Sequence, residues 1–329
     1  MVNLKAKPFY LNDKEIQWVE GTIASMSPDE KLSQLFVLLK GVPGADEGMI
    51  RGLMESARPG GMRWQGGDKE TVLRQNSFFQ KYSRIPVFIC GNCDDGGVGV
   101  LPKEGTFVGT AAEAGASEGT ETAYRIGYVA GREASAIGVN WMFNPVADVY
   151  KNWRNTIVNT RAFSSDPDRV IACVRAYIRG IKDAAPHMAC TCKHFPGDGW
   201  DELDPHISPA HNEAGAEEWL SSYGKVYQTM IDEGLETIMT GQISLPAMSR
   251  KLRPGIRDEE ILPASLAPEL LQDLLRGQMG FNGLIISDAS HMIGMSGVMA
   301  RSAAVPACIA AGCDMFLFAN DFEEDLGSL

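Results

Sequence analysis

The sequence predicts an α/β chain folded as a (β/α)8 TIM-type barrel with an incomplete final βα unit, and three observations carry that expectation. Eight short apolar runs alternate with seven amphipathic segments, the order that builds a parallel sheet through helical crossovers. The runs are nearly continuous in apolar residues, as in Leu284-Ile285-Ile286, which suits strands covered on both faces. Polar residues collect at the carboxyl ends of the runs, where such barrels keep their chemistry.

Taken in order, residues 1–30 form a helical lead-in, with a helix around Asp13–Ala24 and a capping box in Ser27-Pro28-Asp29-Glu30. Strands are expected at 34–39, 60–64, 86–92, 139–144, 188–194, 236–243, 283–288 and 314–320. Asp166-Pro167 opens the helix before the fifth of these, with an N-cap followed by proline at the first helical position. Gly277 and Gly280 end the helix before the seventh. No Gly-x-Gly-x-x-Gly follows the first strand, which argues against an open dinucleotide-binding sheet, and no linker-like tract divides residues 1–329. The expected organisation is one catalytic barrel. Only residues 321–329 follow the eighth strand, too few for a full helix, so either the N-terminal helix fills the gap or a C-terminal extension is absent.

With 30 Lys+Arg against 42 Asp+Glu, the net charge of -12 repels phosphate backbones and anionic lipid, so neither nucleic acid nor membrane is an expected partner. Seven cysteines, an odd number set mostly in apolar stretches, read as buried free thiols. The first ten residues are charged and broken by Pro8, with no signal-like apolar region, and no run is long enough to span a bilayer. The expected location is cytoplasmic.

The polar rim comprises Asn92-Cys93-Asp94-Asp95-Gly96-Gly97, Asn144-Pro145-Val146-Ala147-Asp148, Lys193-His194-Phe195-Pro196-Gly197-Asp198-Gly199, Gln242, Ser287-Asp288 and Asn320. Acids, amides and fixed cations such as Lys193 and Arg161 suit a polyhydroxylated ligand. Cleaving a glycosidic bond needs a carboxylate at the anomeric carbon and a proton donor at the leaving oxygen. Asp288, at the end of a rigid strand, is the best-placed carboxylate. For the donor, the loop Asp201-Glu202-Leu203-Asp204-Pro205-His206 offers an Asp-x-His spacing that lets the carboxylate polarise the imidazole, with proline keeping Asp204 extended.

These residues resemble the family 3 glycoside hydrolases, and within them the single-domain β-N-acetylglucosaminidases, over essentially the whole chain. The most specific segment is Lys193-His194-Phe195-Pro196-Gly197-Asp198-Gly199 followed by Asp204-Pro205-His206. The resemblance implies substrate binding by Lys193 and His194, acid/base catalysis by His206 and its polarisation by Asp204. The segment ending in Ser287-Asp288 resembles the family's nucleophile strand, which gives that role to Asp288. Asn159-Thr160-Arg161-Ala162-Phe163 resembles its Arg-x-Phe loop, making Arg161 a sugar ligand. The Asn92 segment resembles its acidic-glycine motif, with Asn92 and either Asp94 or Asp95 as ligands, Asp94 preferred. Asp198 stands where many members have a second histidine, and Pro205 replaces a common serine. The implied activity is retaining, exo-acting hydrolysis of a terminal β-linked sugar, N-acetylglucosamine first among them, with no cofactor and no metal. A histidine donor repels anionic acceptors less than glutamate, which admits phosphate as a competitor of water.

Other readings stay open. The family's two-domain β-glucosidases and β-xylosidases take an acid/base glutamate from a second domain, which would leave His206 idle. Eight strands consume 320 residues here, so the expected donor comes from the barrel's own loops. A metal-dependent hydrolase would use His194, His206, Asp198 and Asp204 as ligands, and a sugar-binding barrel would turn nothing over. His291 is close enough in sequence to contact Asp288 or a substrate, whereas His187 and His211 read as solvated or capping residues.

Overall fold

A computed structural model describes residues 2–39, 44–63 and 67–329. Among the described residues ten strands form in chain order: β1 (Phe36–Leu39), β2 (Gly61–Arg63), β3 (Phe88–Gly91), β4 (Trp141–Met142), β5 (Ala189–Phe195), β6 (Ala210–His211), β7 (Thr237–Thr240), β8 (Ile243–Ser244), β9 (Leu284–Ser287) and β10 (Phe316–Leu317). Eight make one sheet in the order β10-β1-β2-β3-β4-β5-β7-β9, with every named pair parallel. The sheet closes where the Ser287 N–H donates to the Met315 carbonyl (3.0 Å) and the Asp314 N–H to that of Ile285 (2.8 Å). The chain is therefore a (β/α)8 barrel. Residue 64, the last of the expected second strand, lies outside the described residues.

The barrel is filled rather than hollow. Val37, Cys90, Trp141, Phe143, Met239, Ile286, Met315, Leu317 and Phe318 form an interior plug, while a larger core packs the outer strand faces against the helices. A fully buried side chain such as Phe143 contributes roughly 1.5–3 kcal/mol relative to leaving it in water. Trp141 satisfies its indole N–H inside the plug by donating to Thr191 Oγ1 (2.8 Å). All seven cysteines are buried and unbridged.

The helix signals are found where expected. Ser27 and Glu30 form a reciprocal capping box, and Asp166 caps Pro167–Ala184, whose first residue is the proline. Two expectations change. The sixth strand ends at Thr240, and Ile243 belongs instead to β8, which pairs with β6 outside the barrel. The final unit carries a helix of six residues, Phe322–Gly327, whose Phe322 ring meets Phe36 edge-on at 5.5 Å. The helix Asp13–Ala24 buries no residue and does not fill that place. Among the described residues, no helix is long and apolar enough to cross a membrane.

Candidate active site

The carboxyl end of β9 fixes Asp288. Its N–H donates to the Thr240 carbonyl (2.8 Å), extending the ladder to β7, and its Oδ1 accepts the Ala289 N–H (2.7 Å). Gln242 Nε2 donates to the Asp288 carbonyl (3.1 Å), and Ser265 Oγ holds the same amide by donating to Oε1 (2.5 Å). The carboxylate is thus mounted on the barrel wall and faces the central cavity.

From β5 the chain supplies Lys193 and His194, both buried. His194 donates through Nδ1 to Asp148 Oδ2 (2.8 Å), and Asp148 Oδ1 accepts the backbone N–H groups of His194 (3.1 Å) and Asp198 (2.8 Å). That carboxylate ties the strand end to the loop after β4. The turn beyond it requires glycine. Gly197 has φ +125, and a Cβ there would stand 2.0 Å from the Tyr223 ring. Asp198 follows, 4% exposed, with Oδ1 accepting from Asn155 Nδ2 (2.8 Å) and the Gly199 N–H (2.5 Å). Burial, then the neighbouring Asp148, pushes its carboxyl up to about 6.

Asp94 joins the next cluster. Its Oδ2 accepts from Arg161 Nε (2.7 Å), Oδ1 accepts from Asn144 Nδ2, and Lys193 Nζ stands 3.8 Å away. Burial alone favours the neutral acid, but Arg161 and Lys193 reverse it and hold Asp94 well below the usual carboxylate range. The exchange is mutual: burial lowers Lys193 to about 8, with Asp94 opposing the fall. Asp94 rather than Asp95 belongs to this network. Asn92 contributes a buried Oδ1 with no partner among the described residues.

The loop after β5 carries Asp204 and His206. Asp204 Oδ1 accepts from both the His206 N–H (2.8 Å) and Nδ1 (2.7 Å), so the ring is oriented by its own loop and half of its side chain is exposed. The Pro205 carbonyl accepts the Gly294 N–H (2.9 Å) and that of His206 accepts the Ile293 N–H (3.2 Å), which ties the loop to the segment just after Asp288.

Asp288, His206, Lys193, His194, Arg161 and Asn92 all line one cavity of about 220 Å³. That is below the roughly 300–1,000 Å³ of sites for drug-sized ligands and suits a single sugar ring. Asp94 and Asp204 stand one layer back, acting through Arg161 and Lys193 and through His206. His291 also lines the cavity, stacked on Phe318 with ring centroids 6.4 Å apart. His211 Nδ1 lies 2.7 Å from Ser244 Oγ.

The alternative ligand set does not converge. His194 pairs with Asp148 and His206 with Asp204, and no group of three or more His, Cys, Asp or Glu side chains among the described residues could hold a metal ion. Sequence reasoning missed Asn155, Asp148 and Arg63. Asp148 was visible as a rim acid without a role, and Arg63 was signalled only by a charge inside an apolar run.

The glycosyl hydrolase family 3 N-terminal domain matches residues 49–328. A β-N-acetylglucosaminidase/β-glucosidase of Cellulomonas fimi is 43% identical over 327 residues, covering 99% of this chain and 57% of that protein. A β-hexosaminidase of Pseudomonas aeruginosa is 33% identical over 201 residues, 61% of this chain and 56% of that protein. Among solved structures, the β-glucoside phosphorylase BglX bound to 2FGlc superposes with a TM-score of 0.94 at 38% identity, covering 99% of this chain and 58% of that one. The chain thus spans under two thirds of the length of each. With the family's domain matched over most of the chain and its motif residues gathered around one cavity, the protein belongs to glycosyl hydrolase family 3.

Proposed function

We propose that residues 1–329 act as one catalytic barrel that removes a terminal β-linked sugar, N-acetylglucosamine first, from a small carbohydrate or cell-wall fragment with retention of configuration. The observation that carries this reading is that Asp288 and His206 open onto the same sugar-sized cavity as Lys193, His194 and Arg161. In the first step an Asp288 carboxylate oxygen bonds to the anomeric carbon while the bond to the leaving oxygen breaks. The released electron pair takes the proton of His206 Nε2, and Asp204 steadies the imidazolium through Nδ1. In the second step an acceptor oxygen bonds to the anomeric carbon, its proton returns to His206 and Asp288 departs as a carboxylate. Lys193, His194, Arg161 with Asp94 behind it, and Asn92 hold the sugar.

Phosphate serves as a second acceptor in this proposal. The support is a histidine donor in place of a carboxylate, together with the likeness to a protein described as a β-glucoside phosphorylase. Unbridged cysteines are in keeping with a reducing, cytoplasmic setting.

The test is turnover of 4-nitrophenyl β-N-acetylglucosaminide, β-glucoside and β-xyloside, with and without phosphate and in excess chelator. The expected result is release of the sugar, joined by a sugar phosphate when phosphate is present, and a loss of about 10³-fold or more in Asp288→Ala. Wild-type turnover by Asp288→Ala, with contaminating activity excluded, refutes the nucleophile assignment. No turnover of any of the three glycosides refutes the function.

A further inference from the structure

Among the described residues, Arg63 is the one guanidinium in the cavity wall to which neither the sequence motifs nor the proposed steps give work. It ends β2, in register with Leu39 of β1 and Cys90 of β3, both of which face the interior plug. Strand alternation therefore turns its side chain inward, while Met62 before it packs on the outer core. The guanidinium lies over the Phe143 ring, 5.9 Å from its centroid, and lines the cavity as part of its floor. Its Nε is sealed from solvent, and among the described residues Arg63 makes no hydrogen bond and no close ion pair. A sealed guanidinium donor left without an acceptor costs about 1–3 kcal/mol or more, so its retention calls for a partner that the described residues do not supply.

The geometry of the reaction says which partner. The anomeric carbon has to lie between Asp288 and His206, and His206 is half exposed at the mouth. A sugar held that way turns its opposite edge, with its hydroxyls, toward the plug. Arg63 presents donors and no acceptor to that edge. Resting on the reading under Proposed function, we propose that Arg63 is a sugar-binding residue that donates to a hydroxyl on the edge of the terminal sugar remote from the anomeric carbon, and so sets which terminal sugar is accepted.

The rival account is that Arg63 only balances the nearby carboxylates of Asp94 and Asp288, and a kinetic cycle separates the two. Arg63→Met keeps much of the stem and removes every donor. Arg63→Lys keeps the charge. Each is assayed with the aryl glycoside that the wild type turns over best and with its 3-, 4- and 6-deoxy analogues. The expected result is a loss of about 10- to 100-fold in kcat/KM for Arg63→Met on the parent sugar, carried mainly by KM. One deoxy analogue should lose less than about twofold, and Arg63→Lys should recover part of the parent's loss.

An equal loss on all four substrates, or none on any, overturns the proposal. If Arg63→Met fails to fold by circular dichroism, the same cycle with Arg63→Lys decides. If the wild type turns over no aryl glycoside, the function reading fails separately, and calorimetric titration of N-acetylglucosamine and its deoxy forms judges Arg63. Weaker binding by Arg63→Met only where one hydroxyl is present supports it, and equal weakening, or no binding by the wild type, overturns it.

Discussion

Replacing Asp198 by asparagine should stabilise the protein at neutral pH and leave it nearly unchanged in acid. Asp198 is 4% exposed, and its carboxyl is raised from 3.8 to about 6, first by burial and then by Asp148. A group that holds its proton more tightly in the folded state supports folding fully below the unfolded value, here 3.8. That support is lost as pH rises toward about 6 and stays lost above it. At 1.36 kcal/mol per pKa unit, the gap is worth about 3 kcal/mol at pH 7. Asparagine keeps an oxygen for the Asn155 and Gly199 donors and never ionises, so most of that penalty should vanish. With an unfolding entropy of roughly 2.1 cal/mol/K per residue, 3 kcal/mol corresponds to a rise of about 4 °C in Tm. Thermal unfolding of both proteins from pH 4 to pH 7 is the assay. A difference in Tm that does not grow with pH, or an asparagine variant less stable than wild type at pH 7, would refute the reasoning.

Two further outcomes follow from the same geometry. Lys193, lowered to about 8, loses its charge as pH rises through that value, so kcat/KM should fall above pH about 8; Lys193→Arg, which stays charged, should have lower activity but no such limb, and a limb persisting in that variant removes Lys193 as its source. Gly294→Ala would place a Cβ 2.5 Å from the Gln242 carbonyl oxygen and 2.7 Å from its Cβ; the displaced segment should lower kcat about 10- to 100-fold, as initial rates would show, whereas unchanged kcat would mean that the Pro205–Gly294 contact does not position His206.

Much of the barrel was legible because each strand is a local apolar run, but the runs overstated the ladders. The expected strand 139–144 keeps only Trp141–Met142 in ladder form, since side-chain amides take over at its ends. Asn140 Oδ1 accepts the Ile89 N–H (2.8 Å) and Asn144 Oδ1 the Cys93 N–H (2.7 Å), doing work a backbone carbonyl would otherwise do. In the site, Lys193, His194, Asp204, His206 and Asp288 were readable because they sit in contiguous motifs. Asp148 and Asn155 were not, because their roles exist only once the loop after β4 lies against the turn at Gly197–Gly199. Arg63 was hidden for a different reason: which face of its strand it takes is fixed only by its register with Leu39 and Cys90 on the neighbouring strands.

The same closure bears on how the proposed donor and nucleophile keep their spacing. His206 stands on a loop with half its side chain in solvent, a weak footing for a proton transfer that needs hydrogen-bond reach. Yet the loop is held at three points: by the segment just after Asp288, by β8 and by a bond within the loop itself. Pro205 and His206 accept backbone N–H groups from Gly294 and Ile293, β6 pairs with β8 beyond Gln242, and Asp201 Oδ2 accepts the His211 N–H (2.6 Å). Gln242 then grips the Asp288 carbonyl directly. The freedom of the loop is therefore confined to the few residues between these ties, and a shift that moves His206 past them must also pull on the ends of β7 and β9. In this barrel the mobility of His206 and the position of Asp288 are mechanically linked, so substitutions at the ties should change turnover before they change stability.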